Sequence, residues 1–224
     1  MADHPPESRR EELAALCDPL RSELDAAHAA RERGLSACRR TIRSCSSAIR
    51  AVHRGEAANA EQLMAEADHA LREAQEALGP HPRVAHAGFL HDAEKEYAEA
   101  LLTHALVDGR PLPGPDEVDV GLAAWLCGLA EAASELRRHL LDVIRAGDLA
   151  RGEHLLRVME DVYDLLVTVD YPDALTGGLR RATDSLRAVL ERSRADVTTT
   201  VIQSRLQHAL EQQLPPDSRP DPAR

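Results

Sequence analysis

The stretch LSACRRTIRSCSSAIRAV, residues 35–52, carries the clearest structural signal in the chain. Intervals of three and four residues keep side chains on one face of an α-helix, which turns by about 100° per residue. The apolar residues of this stretch recur at such intervals throughout, at Leu35, Cys38, Ile42, Cys45, Ile49 and Val52. The stretch therefore predicts an amphipathic helix whose apolar face packs into a core.

The rest of the chain extends this helical signal. Hydrophobic residues make up 43% of its 224 residues, aromatic residues only 2%, and Ala, Leu, Arg and Glu dominate. These residues favour helix, and no segment shows the alternation of a strand. We therefore expect an all-α, single-domain bundle of about seven helices with short connections. The predicted helices cover residues 8–55, 56–78, 82–107, 117–146, 148–169, 172–194 and 198–214.

Charge and termini narrow the class of protein. The formal net charge of −11 predicts that the chain repels nucleic acid non-specifically. The polar start, MADHPPESRREE, is not typical of a signal peptide, and no apolar run reaches the ~20 residues of a membrane span. Four cysteines without CxxC spacing indicate reduced thiols in a cytoplasmic protein. Residues 1–7 and 215–224 are predicted to be a disordered arm and a disordered Pro-rich tail, and Pro19 can kink or divide the first helix.

Two pairs of glutamates are candidates for a metal site. Glu96 and Glu99 lie three apart in the third predicted helix, and Glu131 and Glu135 lie four apart in the fourth, so each pair shares a helix face. Gly128, on the same side as Glu131, would let another helix or a substrate approach closely. Four facing carboxylates would repel one another unless a hard cation such as Mg²⁺ or Mn²⁺ bound them. Glutamates at these spacings also occur on solvated faces, where they pair with neighbouring basic residues.

A basic strip runs along the first predicted helix. Between Arg31 and Arg54 there are seven arginines and one acidic residue. Arg39, Arg43, Arg50 and Arg54 fall within a sector of about 60°, beside the apolar stripe. Such a strip either contacts phosphates or pairs with glutamates of a neighbouring helix or subunit. Because stacking aromatics are scarce, any nucleic-acid contact would depend on phosphates. The candidate RNA-binding residues are Arg39, Arg43, Arg50, His53, Arg54, Arg137 and Arg138.

Three stretches resemble the translin family, and its Trax-like branch more closely. RERGLSACRRTIRSCSSAIRAVHRGE (31–56) is similar to the first family helix with its terminal His-Arg. EKEYAEALL (94–102) resembles the Trax E-Y-x-E-A segment, and GLAEAASELRRHLLDVIRAGD (128–148) resembles the G-x-x-D-x-x-G-E-L-x-R segment with its continuation. The order and spacing of these stretches carry the resemblance, which extends diffusely over about residues 9–195.

The resemblance implies a translin-like helical domain over residues 8–214 and a barrel-like homo-octamer that binds single-stranded RNA or DNA. It further implies a metal-dependent endoribonuclease site facing the interior. By position, Glu96, Glu99, Glu131 and Glu135 match the carboxylates of the active branch, so they would be both catalytic residues and ligands of Mg²⁺ or Mn²⁺. Glu131 stands where the family has Asp, and Ser134 where it has Gly. We expect the longer carboxylate to weaken activity or to change the metal preference.

Three alternatives stay open at this point. A translin-like protein could bind single-stranded RNA or DNA without cleaving it. An all-α nucleotide pyrophosphohydrolase also uses helical E-x-x-E pairs with Mg²⁺, although its second motif is normally E-x-x-D and lies closer in sequence. A ferritin-like di-metal bundle needs two E-x-x-H motifs, and Glu66 to His69 is the one such motif that we place on a helix.

Overall fold

The computed structural model of the protein describes residues 8–213, so the predicted arm at 1–7 and the predicted tail at 215–224 lie outside the described residues. The described part of the chain contains helices and no strand, which confirms the all-α prediction. Six helices are long and three are single turns of four residues. They are α1 Arg9–His53, α2 Ala57–Leu78, α3 Pro82–Ala85, α4 Phe89–Asp108, α5 Pro115–Val118, α6 Leu122–Arg145, α7 Leu149–Leu166, α8 Asp173–Thr176 and α9 Leu179–Gln213.

The helix boundaries differ from the prediction where backbone turns divide a helix. Gly88 and Asp119 have positive φ, at 99° and 53°, and these turns separate α3 from α4 and α5 from α6. Gly177 and Gly178 likewise have φ of 57° and 94°, so the helix predicted from residue 172 begins instead at Leu179. Glycine adopts these angles without a Cβ clash, which explains three of the four positions.

Two predicted breaks do not occur. Pro19 lies inside α1, which runs unbroken for 45 residues. The segment between the predicted helices 172–194 and 198–214 is helical, so that α9 is a single helix of 35 residues. This segment contains no glycine or proline, and Ser193 and Val197 are buried on the side of α9 that packs on the bundle. Packing therefore overrides the low helix propensity of the β-branched residues that follow.

Helix α4 lies at the centre of the packing. Helix α1 packs against α2 and α4, α4 packs against α6, and α6 packs against α7 and α9. Alanines fill many of these contacts, including Ala48 on α1, Ala98 on α4 and Ala132 on α6, all fully buried. Small side chains let helix backbones approach closely, which places the facing sides of α4 and α6 near each other. No helix between residues 8 and 213 combines the length and apolar character that crossing a membrane requires.

The ends of the two longest helices extend past this packing. The buried residues of α1 begin at Ala30, and those of α9 end at Val197. Val201 still packs against the core, so we call residues 9–29 of α1 and 202–213 of α9 the two overhangs. Each overhang carries a stripe of large apolar side chains that are 52–68% exposed. These side chains are Leu13, Leu16, Leu20 and Leu24 on α1, and Ile202, Leu206 and Leu210 on α9.

Candidate metal centre

The crossing of α4 and α6 is set by Gly128. A Cβ atom at this position would lie 2.9 Å from the backbone nitrogen of Glu99, the backbone oxygen of Lys95 and the Cβ of Ala98. Only glycine allows that approach, which agrees with the close contact predicted from the sequence. Glu131 follows Gly128 by one helical turn on the same face of α6. The crossing therefore brings Glu131 to the glutamates of α4.

Three of the four predicted carboxylates come together at this crossing. Glu96, Glu99 and Glu131 each offer one oxygen, and these three atoms all lie within 4.8 Å of one another. Glu99 is the most buried, at 8% exposure, whereas Glu96 and Glu131 are half-buried. We call these three residues the carboxylate cluster. Oxygen atoms at this spacing from two rigid helices suit a hard divalent cation.

The electrostatics of the carboxylate cluster favour binding of a cation. Burial, together with the charges of Glu131 and Glu96, raises the pKa of Glu99 well above its usual range. Burial also raises the pKa of Glu96, and the nearby Lys95 ammonium only partly opposes this effect. Carboxylates that are held close together away from water resist ionisation until positive charge is supplied. A divalent ion would supply that charge, so the residues fit the predicted Mg²⁺ or Mn²⁺.

Lys95 is a site residue that sequence reasoning missed. Its Nζ donates hydrogen bonds to Oε1 and Oε2 of Glu131, at 2.8 and 2.7 Å, and lies 3.5 Å from Oε1 of Glu96. Burial lowers the pKa of Lys95, but the hydrogen bond and charge of Glu131 outweigh this, and the pKa is raised. The sequence did contain an indication of this role, because the single lysine of the chain directly precedes Glu96.

Glu135 lies beside the carboxylate cluster rather than within it. His53, at the end of α1, donates a hydrogen bond from Nε2 to Oε2 of Glu135 at 2.7 Å. Glu135 is still near enough for its charge to contribute to the raised pKa of Glu99. The side chain of His53 is 2% exposed, and its buried Nδ1 has no hydrogen-bond partner within the described part of the chain. The predicted contact of His53 with RNA stays a prediction.

The predicted RNA-binding arginines differ in whether they form ion pairs with acidic side chains. Among residues 8–213, Arg39, Arg43 and Arg50 form no ion pair, and all three are exposed. Arg54 is bound through Nε and Nη2 to the carboxylate of Glu56, at 2.6 and 2.9 Å. The first three are therefore the better placed to contact phosphates, and the RNA-binding role of the whole set stays a prediction.

A cleft between α6 and α9 begins at Glu135 and contains the other two arginines. Its volume is about 1250 Å³. Arg137 is held across the cleft, donating from Nη2 to Asp196 at 2.7 Å and from Nη1 to Ser193 at 3.1 Å. Arg138 is exposed and lines the cleft. The cleft therefore adjoins the carboxylate cluster on the side of Glu135.

Two features of the site argue against a ferritin-like di-metal bundle. The grouped side chains are all carboxylates, with no histidine among them in the described residues. Glu66 and His69, the E-x-x-H pair, are exposed on α2 and do not belong to this group. The geometry therefore does not support a ferritin-like centre.

The fold and sequence define the class of protein. Over 84% of its length the chain matches AfC3PO, covering 97% of that chain at 30% identity with a TM-score of 0.76. AfC3PO in a complex with duplex RNA matches over the same shares and at the same identity, with a TM-score of 0.75. Apo-NeC3PO shares the fold, with a TM-score of 0.74 at 17% identity over 89% of this chain and 100% of that one. The chain belongs to the translin family.

One curated relative is also similar. An uncharacterized protein of Methanocaldococcus jannaschii is 31% identical over 124 residues, 55% of each chain. The match thus spans about half the length of that relative. No protein-family model matches the sequence.

Proposed function

We propose that this protein is a metal-dependent endoribonuclease that cleaves RNA inside a self-associated particle. The observation that carries this proposal is the meeting of Glu96, Glu99 and Glu131 from two helices around the buried carboxyl of Glu99. Membership of the translin family and the solved complex of AfC3PO with duplex RNA support RNA as the substrate class. We predict that single-stranded RNA is cleaved. Cleavage of duplex RNA should be measured in the same assay.

The proposed reaction is hydrolysis of a phosphodiester. A water molecule attacks phosphorus, the bond from phosphorus to the leaving oxygen breaks, and that oxygen takes up a proton. Glu96, Glu99 and Glu131 would hold Mg²⁺ or Mn²⁺, which when bound supplies a more acidic water and stabilises developing negative charge. Glu135, whose Oε2 accepts a hydrogen bond from His53, would accept the proton of the attacking water at Oε1. Exposed arginines, Arg138 first, would hold neighbouring phosphates.

The two overhangs support self-association with further copies of this chain. Each presents apolar side chains at helical spacing that are 52–68% exposed in a single chain. Burying one such leucine contributes about 1.5–3 kcal/mol. A second copy, which carries the same stripes, can cover several of them at once. The homo-octamer that the resemblance implies is the arrangement we propose.

The ion pair between Lys95 and Glu131 favours a second candidate function. An ammonium that binds both oxygens of Glu131 already supplies part of the positive charge of the cluster. If the Lys95 ammonium takes the place of the metal ion altogether, the protein would bind RNA or DNA without cleaving it.

A cleavage assay decides between the two functions. Labelled single-stranded and duplex RNA of the same sequence are incubated with the protein in Mg²⁺, Mn²⁺ or EDTA. The endoribonuclease proposal expects internal cleavage with either metal, none in EDTA, and none for Glu99→Gln. Glu76→Gln is the matched control, because Glu76 is an exposed glutamate on α2 outside the carboxylate cluster. Binding that survives EDTA without cleavage would support the non-catalytic function.

A further inference from the structure

The Lys95 ammonium lies among the carboxylates that we predict to bind a metal ion. Its ammonium lies between α4 and α6, against both oxygens of Glu131 and 3.5 Å from Glu96. The side chain is 21% exposed, so that one side of it reaches solvent. An ammonium has three N–H donors, and Glu131 accepts from two of them. The third donor lies near Oε1 of Glu96, so the ammonium links the two helices through both glutamates.

The charge of the cluster matches one ammonium and one divalent ion. Glu96, Glu99 and Glu131 carry three negative charges when ionised, and Glu135, which accepts from His53, lies beside them. Lys95 and a single Mg²⁺ or Mn²⁺ together balance three carboxylates. Both oxygens of Glu131 already accept from Lys95, so this carboxylate has little capacity left to bridge a second divalent ion.

We propose that Lys95 takes the place of a second metal ion, so that each chain binds one divalent ion and the Lys95 ammonium supplies the second positive charge beside the reacting phosphate. This inference rests on the proposed metal centre. In a two-metal nuclease, both ions stabilise the attacking and leaving oxygens. A lysine ammonium is a compact point charge that serves the same electrostatic purpose while fixed to the protein. The pair also orients Glu131, whose side chain is one methylene longer than that of Asp.

The test counts the metal ions bound to each chain. Mn²⁺ binding is measured by calorimetry, with electron paramagnetic resonance of the free ion as an independent count. The variants are Lys95→Met, which removes the charge but keeps the length, Lys95→Gln, which keeps a neutral donor, and Lys95→Arg, which keeps the charge. Arg40→Met is the matched control, since Arg40 forms an ion pair between helices α1 and α2 with Glu73, outside the site.

The expected result is one Mn²⁺ per chain for the wild type, Lys95→Arg and Arg40→Met, and two for Lys95→Met and Lys95→Gln. RNA cleavage by the two neutral variants should then depend on roughly the second power of Mn²⁺ concentration. Two ions in the wild type would overturn the inference. So would neutral variants that bind one ion, whether with unchanged or with tighter affinity. Absence of Mn²⁺ binding in the wild type would refute the metal centre itself, which distinguishes the two failures.

Discussion

Gly128 on α6 lies against the backbone of Glu99 on α4 so closely that a Cβ at Gly128 would be 2.9 Å from the Glu99 nitrogen. Gly128→Ala must therefore push the two helices apart, because the atoms it meets include backbone that cannot turn aside. Overpacking of this kind lowers the free energy of unfolding by about 1–3 kcal/mol. We expect Mn²⁺ affinity, measured by calorimetry, to fall by roughly tenfold or more, because ligand geometry is strict.

A variant that is destabilised far from the site distinguishes the loss of folding stability from the loss of Mn²⁺ affinity. Gly34→Ala would meet the side chain of Leu78 at 2.7–2.8 Å, between α1 and α2. We expect it to lower thermal stability while leaving Mn²⁺ affinity unchanged. Equal losses of Mn²⁺ affinity in both variants would mean that the α4–α6 crossing has no special part in metal binding.

Glu99→Gln should stabilise the protein when no metal is present. Because the pKa of Glu99 is raised in the folded state, its ionisation lowers the free energy of unfolding as pH rises above the usual carboxyl value of about 4.3. The variant lacks this ionisation. Its advantage in EDTA should therefore widen between pH 5 and pH 8, and each kcal/mol gained raises Tm by about 2–4 °C.

With added Mn²⁺, the wild type should become more stable than the Glu99→Gln variant. A ligand that binds only the folded state stabilises the wild type by mass action, whereas the variant has lost a ligand. Thermal unfolding with and without Mn²⁺ provides the check, with Glu76→Gln expected to behave as wild type. A Glu99→Gln variant less stable than wild type in EDTA would show that Glu99 is not a strained carboxyl.

The hydrogen bond from His53 to Glu135 predicts a loss of turnover without a loss of RNA affinity. His53→Leu removes the donor, and the loss of such a supporting contact lowers activity by about 10–100-fold. His53→Gln keeps an N–H donor near the position of Nε2 and should restore much of the rate. Cleavage rates at saturating RNA, beside RNA binding in EDTA, separate the two effects. Weakened binding with an unchanged rate would instead support the predicted RNA contact of His53.

The exposed leucines of the α1 overhang should determine self-association. Leu20→Gln with Leu24→Gln places amides in the apolar stripe, and we expect the assembly to dissociate, because each buried leucine contributes about 1.5–3 kcal/mol. Arg21→Gln with Glu23→Gln makes the same number of changes to charged residues of the same overhang and should leave the assembly intact. Sedimentation velocity measures the result. If the leucine variant keeps the wild-type sedimentation coefficient, the overhang is not an interface.

The fold could be predicted from the sequence because its signals are local. The spacing of Cys38, Ile42 and Cys45 reports a buried helix face, and all-α architecture follows from composition. The short turns at Gly88 and Asp119 were missed because one residue with positive φ leaves little trace in apolar periodicity. The continuity of α9 was missed because it depends on packing of Val197, which is a tertiary contact.

The carboxylate cluster could be predicted only in part. Helical spacing fixed which glutamates share a face, and Gly128 indicated where two helices could meet. Whether Glu135 joins the group or binds His53 depends on where α1 ends in space. The contact of Lys95 with Glu131 likewise spans two helices, and no periodicity within either helix encodes it.

Diffraction from a crystal grown with Mn²⁺, with data collected at an energy where manganese scatters anomalously, shows directly whether the carboxylate cluster binds a metal ion. We predict one anomalous peak per chain, at about 2.1 Å from an oxygen of Glu96, of Glu99 and of Glu131. No such peak should appear in a Glu99→Gln crystal grown under the same conditions. A wild-type crystal without a peak at the carboxylate cluster, or with manganese bound only elsewhere, would mean that the cluster is not a metal centre.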